Sequence, residues 1–233
     1  MPFYYYFDPT YILVLAGVLL CMAASAKLNA TYSKYQRVRS YSGMTGAEAA
    51  ERLLRQSGIR DVRIEHVSGN LTDHYDPRSR VLRLSDTTYG STSVAAVGVA
   101  AHECGHAMQH AYGYVPLSLR STLVPVANFG SAIAWPLILA GLFLGSRSSG
   151  MLITIGILCF SAAVLFQLVT LPVEFNASGR ALRALEDGGI LQSEEIRMTR
   201  KVLFAAALTY VASAASAILQ LLRLLLLTNR RRD

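Results

Sequence analysis

Apolar residues in this chain gather into four long runs that are separated by polar segments. The runs cover residues 10–26, 124–145, 151–172 and 202–227. Each is long enough to cross a bilayer as a helix, because roughly 17–25 residues span its hydrocarbon core. The fourth run contains Gln220 and Arg223, so it either crosses or tilts with its last turns in the interface. The pattern predicts a mainly α-helical integral membrane protein with about four transmembrane helices.

The polar segment between the first two runs, residues 28–123, has a different pattern. Thr45 and Glu48 have the spacing of a capping box, which predicts the start of a helix. The predicted strands lie at residues 61–67, 71–75 and 80–85, the last two joined as a hairpin by a turn that contains proline. Ser93 is placed to cap an alanine-rich helix that continues to about His110. This segment is therefore predicted to be a small α+β region.

Composition supports a membrane protein and excludes other classes. The apolar set makes up 52% of the chain and charged residues only 16%, against about 25% in soluble domains. This excludes a disordered chain, a coiled coil and a small disulfide scaffold. The three cysteines, Cys21, Cys104 and Cys159, lie in apolar stretches, so we interpret them as buried thiols.

The net charge of +7 comes from basic residues that flank the apolar runs. This distribution is typical of topology determinants and of contacts with anionic lipids. Nucleic-acid binding would require a basic face with interleaved aromatic residues, so we exclude nucleic acid as a partner. The lipid bilayer is therefore the predicted environment of the apolar runs and a predicted partner of the protein.

Positive charge near the ends of the runs also predicts the orientation of the chain. The basic residues that follow the first run most closely are Lys27, Lys34, Arg37 and Arg39. The turn after the second run, residues 146–150, holds only Arg147. Because cytoplasmic loops carry an excess of Lys and Arg, we place residues 28–123 and 173–201 in the cytoplasm. A fully crossing fourth run would export the arginines at 230–232, which opposes this orientation, but the first helices usually dominate.

The predicted helix before His110 contains the sequence His102-Glu-Cys-Gly-His106. Histidines at i and i+4 project from one helix face, so both imidazoles can reach one metal ion. Glu103 is offset and can act on a water molecule as a general base, as in zinc hydrolases. The alternative, two histidines on a surface helix, is disfavoured because residues 94–101 are wholly apolar. Gly105 is a poor helix former, which indicates that a neighbouring group lies close to it.

A catalytic zinc site needs one more protein ligand. His110 lies about 12 Å from His102 along the helix axis, too far to share the ion. The remaining candidates are the downstream acids Glu174, Glu186, Asp187, Glu194 and Glu195. Glu174 directly follows the third run, where a carboxylate is costly unless it has a partner. The alternative role for Glu174 is to complement the dipole of a following helix; the other four acids are interpreted as an exposed face.

These segments resemble the membrane zinc metallopeptidases of the YugP type, which are similar in style to the HtpX peptidases. The resemblance covers nearly the whole chain. It rests on residues 69–77, 82–85, 100–110, 125–130 and 171–178. It implies His102 and His106 as zinc ligands, Glu103 as catalytic base and Glu174 as third ligand of a gluzincin-style site. Ser178 stands where the wider gluzincin pattern often has Asp, so the group that supports a ligating histidine is Asn176 or another residue.

Peptide hydrolysis also requires a group that stabilises the oxyanion. The candidates are His74, Tyr75, Tyr89 and His110, and their spacing does not choose among them. We take His74 as the first candidate, against an ordinary role as a strand residue. We further expect the strand at 80–85 to have a free edge that binds an extended peptide.

The chain is thus divided into five predicted segments. They are a transmembrane anchor at 1–27, a zincin-like cytoplasmic region at 28–123, a transmembrane hairpin at 124–172, a cytoplasmic segment with the third ligand at 173–201, and a transmembrane or interfacial helix with a basic tail at 202–233. The predicted function is zinc-dependent hydrolysis of membrane or membrane-proximal polypeptides, with one Zn²⁺ per chain, at the cytoplasmic face of a bacterial membrane. The alternative is a catalytically silent zinc-binding membrane scaffold. Further candidate partners are membrane proteins or a second copy of the chain.

Overall fold

A computed structural model describes residues 8–143 and 149–229 of the chain. Its helices are α1 (Tyr11–Tyr35), α2 (Gly46–Gln56), α3 (Val94–Ala111), α4 (Val115–Phe143), α5 (Ser149–Asp187) and α6 (Ser193–Asn229). Its strands are β1 (Arg63–Val67), β2 (His74–Asp76) and β3 (Val81–Ser85). Most of the predicted turn at 146–150, with Arg147, and the arginines at 230–232 lie outside the described residues.

Four helices in the described ranges, α1, α4, α5 and α6, are long and apolar enough to cross a membrane. This confirms the prediction of a mainly α-helical membrane protein. The helices extend beyond the predicted runs, because polar and charged turns continue each helix past its apolar part. Pro125 and Pro136 lie inside α4, and Pro172 lies inside α5.

The continuity of α5 changes the setting of Glu174. The helix passes through Pro172 without a break and ends only at Asp187. No helix begins after Glu174 before α6 within the described residues, so this carboxylate does not complement the dipole of a following helix. It belongs to the same helix as the third apolar run.

One compact unit consists of the described residues up to 24 together with 119–170 and 209–229. Its apolar cluster contains Ile138, Ile153, Ile157 and Leu224. Small residues permit close helix contacts in it: a Cβ atom at Gly130 would lie 2.7 Å from the Cys159 carbonyl oxygen. Such close backbone approach is typical of helices packed in lipid.

The second compact unit consists of residues 25–118 and 171–208. The predicted capping box is present, since Thr45 Oγ1 accepts from the Glu48 N–H and the Glu48 carboxylate accepts from the Thr45 N–H. The core of the unit joins α2, α3 and β3 to the last part of α5. Its buried residues include Leu53, Leu82, Leu84, Val97, Cys104 and Leu185.

The sheet in this unit has the strand order β1-β3-β2 over the described residues. β2 and β3 pair antiparallel, which confirms the predicted hairpin, and β1 pairs parallel with β3. The expectation of a free edge at residues 80–85 is therefore wrong. β1 occupies the second side of β3, so the outer strands are β1 and β2.

Two further expectations about buried groups need correction. Cys104 is buried and its Sγ contacts the Ala50 carbonyl, but Cys21 and Cys159 are only half-buried. Glu186, Asp187 and Glu194 are exposed as predicted, whereas Glu195 is 2% exposed. Its carboxylate accepts hydrogen bonds from the backbone N–H groups of Tyr41 and Gln192, so it closes the start of α6 and anchors a loop.

Candidate metal centre

Helix α3 carries both histidines of the site and is largely buried. Ser93 is its N-cap, with its hydroxyl accepting from the Ala96 N–H. Gly105 lies between the histidines, and a Cβ atom there would come within 2.9 Å of the Ala177 carbonyl carbon on α5. This confirms the close neighbour that the glycine indicated. The close approach of α3 and α5 brings Glu174 beside His102 and His106.

The ligand atoms of these three residues form a small triangle. His102 Nε2 lies 3.2 Å from Glu174 Oε2 and 3.2 Å from His106 Nε2. His106 Nε2 lies 3.5 Å from the same carboxylate oxygen. Ligands of a tetrahedral zinc ion with bonds of about 2.0–2.1 Å are roughly 3.3–3.4 Å apart. The triangle therefore has the dimensions of one face of a zinc coordination tetrahedron.

Gln109 fixes the protonation of His106. The Gln109 side chain is fully buried, and its Nε2 donates to the Val173 carbonyl at 2.8 Å and to Asn176 Oδ1 at 3.0 Å. Because a carbonyl can only accept, the amide nitrogen must face α5, and Oε1 faces His106 Nδ1 at 3.0 Å. Nδ1 is therefore the nitrogen that carries the proton in the neutral ring. The lone pair of Nε2 is left to face the triangle.

The ring of His102, like that of His106, has a polar side chain beside its Nδ1 atom. Its Nδ1 lies 3.1 Å from the hydroxyl of Ser178. A serine thus stands beside His102 at the position where the resemblance leaves the supporting group open. Both histidines have Nδ1 engaged and Nε2 turned toward Glu174, which is the arrangement that orients metal-ligating imidazoles.

This donor set fits a bound cation. With Nδ1 protonated, the Nε2 lone pairs and a carboxylate oxygen face one another at 3.2–3.5 Å in a setting where Glu174 is only 1% exposed. Electron pairs held so close repel unless a positive charge lies among them. Two nitrogens and one carboxylate oxygen are also the ligands that catalytic zinc uses.

Glu103 is buried next to this triangle, with 8% of the residue exposed. Burial raises the pKa of Glu103 to about 7, and the charges of Glu174 and Asp73 add to this rise. The backbone N–H of Tyr75 on β2 acts in the opposite direction and lowers the pKa of Glu103. A carboxyl group with a pKa near neutrality is suited to both taking up and releasing a proton.

The four candidates for the oxyanion role have different surroundings. His74 lies opposite Arg83 in the β2–β3 pairing, on the face away from Leu82 and Leu84, which pack with α3. Its ring contacts the Thr72 carbonyl and Arg83 instead of the triangle. The structure therefore does not bring His74 together with the other predicted site residues.

Tyr75 lies on the opposite face of β2 from His74 and packs against the core with α3. Its hydroxyl is 2.8 Å from His110 Nδ1, so these two candidates form a pair. Tyr89 instead makes an edge contact with the ring of His66. Of the four candidates, Tyr75 is the one whose backbone N–H influences the pKa of Glu103.

Sequence reasoning did not identify Gln109. Two features of the sequence point to it: it lies three residues after His106, hence on a neighbouring part of the same helix face, and it is polar within an apolar helix. The network continues beyond Gln109, since Asn176 Oδ1 accepts from Arg180 Nε at 2.8 Å. The Arg180 guanidinium in turn lies over the rings of Tyr112 and Tyr114.

The fold and the site together define a mainly helical membrane protein with a candidate metal centre of two histidines and a glutamate. Comparison with known proteins agrees with this class of protein. A family profile described as "Putative neutral zinc metallopeptidase" matches residues 10–229, so the chain belongs to that family. It is similar to the "Putative membrane protease YugP" of Bacillus subtilis (strain 168), with 48% identity over 221 residues, 95% of this chain and 97% of that protein. No solved structure matches the chain.

Proposed function

We propose that this protein is a zinc-dependent metalloendopeptidase of the bacterial cell membrane. His102, His106 and Glu174 would hold one zinc ion, and Glu103 would be the general base. The observation that carries the proposal is the triangle of two Nε2 atoms and one carboxylate oxygen with edges of 3.2–3.5 Å. Glu103 beside this triangle supports hydrolysis over simple metal storage.

The chemistry follows from what each side chain can do. When bound, zinc supplies a Lewis acid that polarises a peptide carbonyl and makes a nearby water more acidic. Glu103 accepts the proton of the attacking water and then donates it to the leaving amine. Gln109 and Ser178 hold the two imidazoles.

The four apolar helices support a substrate that is itself in or near the membrane. A peptidase fixed in the bilayer meets membrane proteins and membrane-proximal segments at high local concentration. The basic residues after the first apolar run support a site that faces the cytoplasm. We propose membrane or membrane-proximal polypeptides as substrates.

Replacement of the base tests the catalytic part of this proposal. Glu103→Gln should retain zinc but lose hydrolysis by about 10²–10⁴-fold, because an amide cannot accept the proton. The measurement is cleavage of a fluorescently labelled unstructured protein, beside zinc content by mass spectrometry. Wild-type turnover in a zinc-loaded variant would exclude Glu103 as the base. A zinc-loaded wild type that cleaves nothing would favour the scaffold alternative.

Replacement of the third ligand tests the metal part. Loss of a residue that hydrogen-bonds to a metal ligand typically lowers metal affinity by about 10–100-fold. Glu174→Ala should lower zinc affinity by more than this, because it removes a ligand itself. Glu186→Ala, on the same helix but exposed, is the matched control and should keep wild-type affinity. Chelator competition on the purified proteins measures both. Equal zinc affinity in Glu174→Ala and wild type would mean that the ligand lies elsewhere.

A further inference from the structure

The unit formed by the described residues up to 24, 119–170 and 209–229 contains a cavity of about 220 Å³. Its walls are mainly leucine and isoleucine side chains of α4, α5 and α6. Tyr11, Trp135 and Arg223 also line it. The cavity thus combines an apolar interior with one cationic group.

Arg223 is a partly buried cation with unused hydrogen-bonding capacity. Its side chain is 12% exposed, and its Nε donates to Thr10 Oγ1 over a long 3.4 Å. The guanidinium lies 4.1 Å from the centre of the Tyr11 ring. Over residues 8–143 and 149–229 the bond to Thr10 Oγ1 is the one hydrogen bond that Arg223 donates, whereas a guanidinium has five N–H donors.

Asp8 forms an ion pair with this arginine but accepts no direct hydrogen bond from it. Its nearest carboxylate oxygen is 3.8 Å from Arg223 Nη2, beyond hydrogen-bond distance. The same carboxylate accepts from the backbone N–H of Thr10 at 3.1 Å and from its hydroxyl at 2.6 Å, at the start of α1. A cation inside a membrane span is costly unless an anion or several acceptors approach it.

We propose that the cavity binds one phospholipid, with its phosphate at Arg223 and part of one acyl chain between the apolar walls. Guanidinium binds phosphate through paired charge-assisted hydrogen bonds, which would use the spare N–H donors. The cavity volume is below the approximately 300–1,000 Å³ of pockets that enclose whole small molecules, so the cavity can hold only part of an acyl chain. Tyr11 and Trp135 are residue types that favour the headgroup level of a bilayer. An extended peptide fits poorly, because the apolar walls offer few partners for its backbone.

Trp135 allows a direct test, since it is the only tryptophan in the sequence. The purified full-length protein in detergent is titrated with phosphatidylglycerol that carries brominated acyl chains, and quenching of tryptophan fluorescence is followed. Diacylglycerol with the same brominated chains is the control for lipid that merely surrounds the protein. We expect half-maximal quenching by the phospholipid at about tenfold lower concentration, the gain of one charge-assisted hydrogen bond. Equal concentrations for the two lipids would overturn the proposal.

Two variants assign the effect to the cavity. Arg223→Gln should abolish the difference between the two lipids, and its persistence would contradict the role of the arginine. If Arg223→Gln does not fold, Leu142→Phe decides, because it narrows the cavity and leaves Arg223 in place. It should weaken quenching by phosphatidylglycerol, whereas Leu165→Phe, at an exposed position outside the cavity, should not. Equal quenching in these two variants would also overturn the proposal.

Discussion

At the scale of single residues, the state of His106 depends on how Gln109 is held between two helices. The Gln109 amide donates to the Val173 carbonyl and accepts from His106 Nδ1, so its orientation is fixed from both sides. A side chain that could rotate would present either oxygen or nitrogen to the imidazole. The fixed amide selects the tautomer whose Nε2 can bind a metal.

Gln109→Leu should therefore weaken zinc binding by about 10–100-fold, as for other groups that support a metal ligand. Leucine keeps most of the volume but removes the acceptor for His106. Gln109→Glu keeps that acceptor and should retain more of the zinc affinity, while losing the donor to Val173 and hence thermal stability. Chelator competition and thermal unfolding separate the two effects. Wild-type zinc affinity in Gln109→Leu would mean that the tautomer does not depend on this residue.

The sequence alone located the core of this centre but not its supports. His102, Glu103 and His106 follow from spacing on one helix, and Glu174 follows from the cost of a carboxylate beside an apolar run. Gln109 could not be assigned, because its partners lie on α5 and no local pattern gives the register of two packed helices. The position of His74 could not be predicted for a similar reason: alternation along β2 separates two faces but does not say which one meets α3.

At the scale of elements, the contact between α3 and α5 depends on the absence of a side chain at Gly105. The glycine lets the α5 backbone at Ala177 approach the α3 turn between the histidines. The distance between these helices sets the distance from Glu174 to both imidazoles. A change of packing here is thus a change in the metal centre.

Gly105→Ala should lower stability by about 1–3 kcal/mol through overpacking, and should also lower zinc affinity. The added methyl group would press on the Ala177 carbonyl, which cannot move without shifting α5. Gly179→Ala is the matched control on α5, since a Cβ atom there meets nothing within 4 Å. It should keep zinc affinity, because only helix propensity changes. Equal zinc affinity in the two variants would contradict the link between packing and metal binding.

Elements that depend on neighbouring residues were predicted better than those that depend on distant ones. The capping box at Thr45, the hairpin of β2 and β3, and helix α3 after Ser93 all appear in the structure. The parallel pairing of β1 with β3 was missed, because the two strands are joined through a long connection that leaves no turn motif. The free edge was consequently assigned to the wrong strand of the hairpin.

At the scale of the whole molecule, four long helices carry the chain through apolar surroundings, and each of them also contributes residues to the unit that holds the candidate metal centre. α5 contributes its residues up to 170 to one unit and those from 171 to the other. α6 contributes its residues up to 208 to the unit with the candidate metal centre and those from 209 to the other unit. The orientation of these helices decides on which side of the membrane the candidate metal centre lies.

Cysteine labelling on intact cells tests this orientation. A membrane-impermeant maleimide should modify Gly150→Cys, at the end of the predicted outer turn, but should modify Ser79→Cys only after permeabilisation. Both positions are exposed, and a side chain at Gly150 meets nothing within 4 Å. The wild type, with its three native cysteines, gives the background. The reverse labelling pattern would place the metal centre outside the cell.

The continuity of α5 has a consequence for biosynthesis. Glu174 follows His102 by 72 residues, and the intervening chain includes α4 and the apolar part of α5. At about 5–20 residues per second, the ribosome needs roughly 4–14 s to supply the third ligand after the first. During that time the nascent chain carries His102, Glu103 and His106 but lacks Glu174. The proposed peptidase would therefore stay latent until its membrane hairpin has been synthesised, and each new copy would be kept from cleaving its neighbours at the translocon.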